Sequence, residues 1–148
     1  MKILNPYLIF DGNASTAFKF YKSIFGGEYS LLLKASESPS PQEGSLSPEE
    51  ADKIMHICLP LPNGQSLQAS DIIHSYNSGN KMDFIQGNNQ IINIVADNET
   101  EARELFNKLA VEATILCPIQ PMFWGDIFGQ LTDQFGIQWM VNAKTDNK

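Results

Sequence analysis

Residues 6–27 read PYLIFDGNASTAFKFYKSIFGG, and how this stretch is read decides the fold. The run Ile3 to Phe10 is strand-like and is stopped by Asp11-Gly12-Asn13. After it, Ala14, Ala17, Phe18, Tyr21, Ile24 and Phe25 recur at helical spacing, with Asn13 as N-cap and Gly26 as helix stop. The pattern then returns. Ile91 to Ala96 is a strand, Asp97-Asn98 a turn, and Ala102, Leu105, Phe106 and Leu109 form a helical stripe, with Glu101 three residues after an Asn98 cap. Laying Asp11 on Asp97, an offset of 86 residues, puts strand on strand, helix on helix and Phe20 on Phe106.

Each helix gives way to β structure. Tyr29 to Ala35 is a strand, and Ile54 to Leu61 and Gln65 to Ser70 flank Asn63-Gly64, the signature of a two-residue hairpin whose central residues need positive φ. In the second half Ala113 to Ile119 is a strand, 118–125 a loop, and Ile127 to Thr132 and Ile137 to Asn142 are strands joined by Asp133-Gln134-Phe135-Gly136. Parity there sends Trp139 toward the helix and Met140 to the opposite face. Two polar segments interrupt the modules. Residues 36–52, SESPSPQEGSLSPEEAD, cannot be core and are either a mobile lid or an inert insertion, the composition favouring the second; Ser47-Pro48-Glu49-Glu50 has capping-box spacing for one helical turn. The expected organisation is one domain over 1–148, with a first βαβββ module at 1–70, a linking loop at 71–88 and a second βαβββ module at 89–148. The fold class is α+β, two modules whose curved mixed sheets form an open cleft.

Composition narrows the function classes. With 148 residues, 43% of them hydrophobic, the chain can bury a core without staples. A net charge of −7 and a pI near 4.7 provide no basic stripe for a phosphate backbone, so no nucleic-acid partner is expected. The N-terminal MKILNPYLIF has neither the charge pattern nor the cleavage site of a signal peptide, and no apolar run approaches the roughly 20 residues of a membrane helix, which suggests a soluble, cytoplasmic protein. Cys58 and Cys117 lack CxxC spacing and fit reduced, buried thiols; the sequons at Asn13 and Asn98 are then irrelevant.

PYLIFDGNASTAFKFYKSIFGG, then IMHICLPLPNGQSLQASD, then the hairpin ending DQFGIQWMVN resemble the PhnB-like branch of the vicinal oxygen chelate superfamily, the glyoxalase, bleomycin-resistance and dioxygenase fold. That resemblance implies the two-module cleft and, commonly, a homodimer. The branch is also described as 3-demethylubiquinone methyltransferase-like, but no glycine-rich strand-to-helix loop is present to hold S-adenosylmethionine, since Gly26-Gly27 end a helix. Metal-dependent members place a His, Glu or Gln on the first strand and a Glu on the last strand of a module. Those places fall here on Pro6, Gln68, Ile91 and Met140, and slipping each strand by one residue still offers no good ligand, so neither metal nor cofactor is expected.

For ligand chemistry, a two-residue loop at Asn63-Gly64 opposes His56 to Asp71, close enough for a carboxylate to orient an imidazole general base or simply to make a structural hydrogen bond. The same counting puts His56 on the face away from Gln68. Ser66, Gln68 and Ser70 alternate as a polar stripe, with Leu8, Phe10, Asn93 and Met140 of the same inward parity, while Phe123 and Trp124 stand in a loop where they could stack on a ligand or pack at an interface. His74 reads as solvated. Three functions compete: binding of a small neutral apolar or aromatic molecule without metal, a metal-dependent lyase, isomerase or dioxygenase, and a metal-free enzyme using His56 and Asp71.

Overall fold

In the computed structural model, which describes residues 2–37, 48–73 and 83–145, both repeats fold as strand, helix and three strands. The chain divides into two compact units, Met1–Ile85 and Gln86–Lys148. The first holds β1 (Tyr7–Phe10), α1 (Ala14–Phe25), β2 (Leu31–Lys34), β3 (Ile54–Pro60) and β4 (Ser66–Asp71). The second holds β5 (Ile92–Val95), α2 (Glu99–Leu109), β6 (Thr114–Pro121), β7 (Asp126–Thr132) and β8 (Gln138–Lys144). Each makes a four-stranded mixed sheet, ordered β1-β4-β3-β2 and β5-β8-β7-β6. In both, the strand before the helix runs parallel to the last strand of its unit, and the other pairings are antiparallel.

The helices form because their apolar residues repeat on one face and that face has a sheet to cover. In α1, Ala14, Ala17, Phe18 and Tyr21 are fully buried, and the helix lies against β3 and β4, whose Ile57, Leu59, Leu67 and Ala69 point the same way. Phe18 meets Phe10 and Tyr21 edge to face at 6.4 and 5.6 Å between centroids. In α2 the expected stripe buries Ala102, Phe106 and Leu109, with Trp139 and Val141 of β8 beneath it. Gly129 of β7 is the point of closest approach: a Cβ there would lie 2.7 Å from the Phe106 ring. A strand glycine with such a neighbour marks a position where no side chain fits.

Helix starts differ between the units. Asn98 caps α2 as expected, its Oδ1 accepting from Glu101 N at 2.8 Å, and the Glu101 carboxylate accepts from Asp97 N at 2.7 Å. Asn13 does not cap α1, since its side chain makes no capping hydrogen bond. Asp71 does so instead, from the far end of β4. Its Oδ1 accepts from Gly12 N and Ala14 N, both at 3.0 Å, and its Oδ2 from Ile54 N at 2.8 Å.

Two further expectations are corrected. The β3–β4 connection is a three-residue loop, Pro62-Asn63-Gly64, closed by Leu61 N donating to Gln65 O at 2.7 Å. Asn63 and Gly64 do take positive φ, 68° and 79°, but Pro62 joins them in the loop and shifts the register by one residue. β6 runs on through Pro118 to Pro121, where a loop was expected, because it is an edge strand whose pairing with β7 is bulged twice. Prolines are tolerated there because an edge strand has one row of N–H groups with no ladder partner. The β7–β8 turn forms where expected: Asp133 N donates to Ile137 O, and Gly136 has φ 88°. Of the 36–52 segment, Pro48–Glu50 makes one 3-10 turn, and residues 38–47 lie outside the described residues, as do 74–82 of the 71–88 loop, including His74.

Candidate functional site

With one face of each sheet under a helix, chemistry is left to the other face. On the first sheet the one-residue register shift decides what stands there. Cys58 is the cross-strand partner of Gln68, so His56, Cys58, Ser66, Gln68 and Ser70 share the helix-free face. The pairing of β1 with β4 adds Tyr7 opposite Gln68 and Ile9 opposite Ser70. His56 therefore lies on the same face as Gln68, contrary to the sequence-based count.

The two side chains meet. His56 Nε2 and Gln68 Oε1 are 2.9 Å apart, and Gln68 Nε2 donates onward to Ser66 Oγ, also at 2.9 Å. With the amide set that way round, a neutral imidazole carries its proton on Nε2 and keeps its lone pair on Nδ1. The Tyr7 ring approaches the imidazole edge to face at 5.5 Å. The result is a row of three polar groups, half-buried at His56 and Gln68 and buried at Ser66, flanked by the exposed Tyr7 and Ile9.

Asp71 is not part of this row. It is buried at 5% exposure on the helix side, and its two oxygens already take three backbone N–H groups. The expected facing of His56 and Asp71 fails for one reason, the third residue in the hairpin loop. A neutral amide orients the ring instead of a carboxylate. Leu8 and Phe10 are also corrected. They pair with Ala69 and Asp71, so they point under the helix, where Phe10 is 1% exposed. Tyr7 and Ile9 take the places expected of them. The signal was in the repeat, since the offset that lays Asp11 on Asp97 also lays Tyr7 on Asn93.

On the second sheet, Asn93 pairs with Met140 and both stand on the helix-free face, as expected. Asn142, two residues along, donates from Nδ2 to Asn93 Oδ1. Phe128 lies directly across from Asn142 on β7. Phe123 and Trp124, at the tip of the β6–β7 hairpin, form an edge-to-face pair at 4.9 Å, and Trp124 reaches Phe128 at 6.3 Å. The parity that turns Met140 toward this face turns Asn142 there as well, as the sequence pattern indicates, whereas Phe128 was missed because only strand register shows which face it occupies.

Of the four places where the resemblance implied metal ligands, Pro6, Gln68, Ile91 and Met140, two stand on helix-free strand faces, Gln68 beside Tyr7 and Met140 beside Asn93. Pro6 and Ile91 precede their strands. A phenol with an amide, or an amide with a thioether, carries no charge to replace the hydration of a divalent ion. Among the described residues no three His, Cys, Asp or Glu side chains gather into a metal-binding group. The side chains at these positions do not fit a divalent metal ion.

The same scaffold recurs in known proteins. The chain is 31% identical over 145 residues to protein YjdN of Escherichia coli (strain K12), covering 95% of this chain and 94% of that protein. The crystal structure of protein PA1353 from Pseudomonas aeruginosa superposes with a TM-score of 0.77 at 35% identity, covering 99% of this chain and 100% of that one. The PhnB protein from Bacillus cereus, a putative 3-demethylubiquinone-9 3-methyltransferase, gives 0.70 at 24% identity over 96% and 99% of the two chains. A glyoxylase/bleomycin resistance protein/dioxygenase domain from Frankia sp. EAN1pec shares the fold at 0.62 and 13% identity, over 97% and 98% of the two chains. The family model described as 3-demethylubiquinone-9 3-methyltransferase matches residues 2–142. Two helix-backed mixed sheets, the match across nearly the whole length and these relatives together place the chain in that family, in its PhnB-like branch of the glyoxalase/bleomycin-resistance fold.

Proposed function

We propose that the chain binds a small, uncharged, partly aromatic molecule on the helix-free face of its first sheet, and that it does so without a metal. The observation that carries this reading is the His56–Gln68–Ser66 row. It sets a short line of neutral donors and acceptors on a surface otherwise lined by Tyr7, Ile9 and Leu31, which are 47%, 36% and 42% exposed. A few fixed polar groups among apolar ones is the composition of sites that orient small ligands. The imidazole lone pair at Nδ1 and the Ser66 hydroxyl remain to meet a ligand's own donor and acceptor, and Tyr7 supplies an aromatic surface. No group in the row is anionic, which favours a neutral occupant.

Thermal-shift screening against neutral aromatic compounds tests the reading. A ligand at 100 times its Kd stabilises the protein by about 2.7 kcal/mol, well within detection. Gln68→Met, which keeps the length and removes the amide, should abolish that stabilisation. A broad neutral library that stabilises nothing, or hits indifferent to Gln68→Met, would end it.

A second reading is favoured by the tautomer: the Nδ1 lone pair can serve as a general base toward a bound substrate. His56→Ala should then remove turnover of any substrate found while leaving the urea midpoint within about 0.5 M, and unchanged turnover would sink it. A homodimer, implied by the family, belongs to the same proposal. Light scattering at micromolar concentration checks it, and a monomeric mass would count against it.

A further inference from the structure

We infer that the His56–Gln68–Ser66 row is reversible: its hydrogen bonds run in either direction and a ligand selects which, so one site serves molecules that donate to His56 and molecules that accept from it. The inference rests on the ligand reading of this face and adds what determines its specificity. Each member of the row is able to give and to take a hydrogen bond. In one direction His56 Nε2 donates to Gln68 Oε1 and Gln68 Nε2 donates to Ser66 Oγ, both at 2.9 Å. Turning the Gln68 amide over exchanges its oxygen and nitrogen while the two outer groups stay where they are. Gln68 Nε2 then donates to an unprotonated His56 Nε2, and the Ser66 hydroxyl donates to Gln68 Oε1. The terminal torsion of glutamine is broad and roughly two-fold, so neither setting is strained. The imidazole gives its Nε2 proton to water and takes one from water at Nδ1, and the net charge is unchanged.

A further partner would fix one direction, and none is present among the described residues: the three side chains make no other hydrogen bond to them. A nearby charge would also choose. The strands surround the row with Tyr7, Ile9, Leu31, Leu33, Cys58 and Ser70, and no Asp, Glu, Lys or Arg is among these. The backbone beneath is nevertheless pinned. Asn5 Oδ1 accepts from Ser66 N at 3.0 Å and Pro6 O from Gln68 N at 3.2 Å, through N–H groups that take no part in the row. Position is therefore fixed and polarity is free. The two ends change sign together. In the first direction Nδ1 is an acceptor and the Ser66 hydroxyl proton is free to donate; in the second Nδ1–H donates and Ser66 Oγ only accepts. A ligand that donates at Nδ1 holds the first direction and one that accepts there holds the second, each shifting the equilibrium by its differential affinity.

The chain has two histidines, so His74→Gln leaves His56 as the one source of imidazole signals. Nitrogen-15 NMR of that protein in mildly alkaline buffer, where an imidazole is neutral, reads the tautomer ratio from its two ring nitrogens. The probes are phenol, which donates, and pyridine N-oxide, which only accepts, both small, aromatic and without net charge. The expected result is a ratio between the tautomers within about tenfold of unity, moved toward the Nε2–H form by phenol and toward the Nδ1–H form by pyridine N-oxide. Gln68→Glu, whose carboxylate only accepts, should raise the Nε2–H to Nδ1–H ratio about tenfold, equivalent to about 1.4 kcal/mol, and weaken pyridine N-oxide by a similar factor while sparing phenol. If Gln68→Glu does not fold, the opposite shifts with the two probes decide alone. A ring fixed in one tautomer and moved by neither bound probe overturns the inference, and so does a ratio indifferent to Gln68→Glu. Phenol binding to a ring that never leaves the Nε2–H form would uphold the ligand reading and overturn the reversal. Failure of both probes to bind, with a ratio that still answers to Gln68→Glu, would refute the ligand reading and uphold the reversal.

Discussion

Asp71 offers the sharpest test of the structural reasoning, because sequence and structure assign it opposite roles. Its carboxylate accepts from Gly12 N and Ala14 N through one oxygen and from Ile54 N through the other, all within 3.0 Å, at 5% exposure. It thus ties the start of α1 to the start of β3 from the end of β4. Asp71→Asn keeps the shape but replaces one oxygen by an NH2 group. Whichever way the amide turns, at least one backbone N–H then faces a donor. A buried donor left without a partner costs about 1–3 kcal/mol, and the lost negative charge at the helix N-terminus adds about 0.3–1 kcal/mol. The expected destabilisation is about 2–4 kcal/mol, a large share of a typical domain stability of about 5–15 kcal/mol. With a urea m-value of about 1–3 kcal/mol/M, the midpoint should fall by about 1–2 M. Asn13→Ala is the control. Its side chain caps nothing, so it should cost less than about 0.5 kcal/mol, whereas a working N-cap would cost about 1 kcal/mol. Circular dichroism during urea titration measures both. An Asp71→Asn midpoint within about 0.3 M of the parent, or an Asn13→Ala loss as large as that of Asp71→Asn, would refute the reasoning.

Other substitutions separate steric from conformational causes. Gly129→Ala should cost about 1–3 kcal/mol through overpacking, because its Cβ would sit 2.7 and 2.8 Å from two Phe106 ring carbons and 3.0 Å from Ile119 Cα; thermal denaturation checks it, and Phe106→Leu in the same chain should recover part of the loss. Gly64→Ala meets nothing within 4 Å yet has φ 79°, so it should cost about 1 kcal/mol by backbone strain alone, and Phe106→Leu should not rescue it. Trp139→Phe removes the 2.8 Å bond from its Nε1 to Asp133 while keeping a ring in the core, and should cost about 2 kcal/mol by urea titration together with most of the near-ultraviolet dichroism.

Local chemistry made much of the scaffold legible. The helical stripes, the Asp133–Gly136 turn and the burial of Trp139 each depend on residues within a few positions of one another, where periodicity and turn preference speak directly, and the repeat at an offset of 86 is two such local patterns laid side by side. Register was not legible, and it decided the site. Asn63-Gly64 announced a hairpin correctly, yet whether Pro62 joins the loop or the strand changes every partner of β3 by one, and in a sheet one residue is the difference between two faces. That single step placed His56 opposite Asp71 on paper and beside Gln68 in the structure. Asp71 was misread for a related reason: its partners Gly12 and Ala14 lie 59 and 57 residues away, so nothing near it in sequence shows that its oxygens are taken.

The two units share a plan and have put it to different use. In both, a buried aspartate near the last strand accepts two backbone N–H groups through one oxygen. In the first unit that residue, Asp71, caps the helix, and Asn13 is released from the task. In the second the helix is capped locally by Asn98, and Asp133 instead organises the hairpin and fixes Trp139. The helix-free faces have diverged further: Tyr7 stands where Asn93 stands, and Gln68 where Met140 stands, relative to their own strand pairs. A face with an imidazole, an amide and a hydroxyl in line offers a lone pair that can hold a proton. A face with two locked carboxamides beside three aromatic rings offers shape and a donor–acceptor edge, but no comparable base.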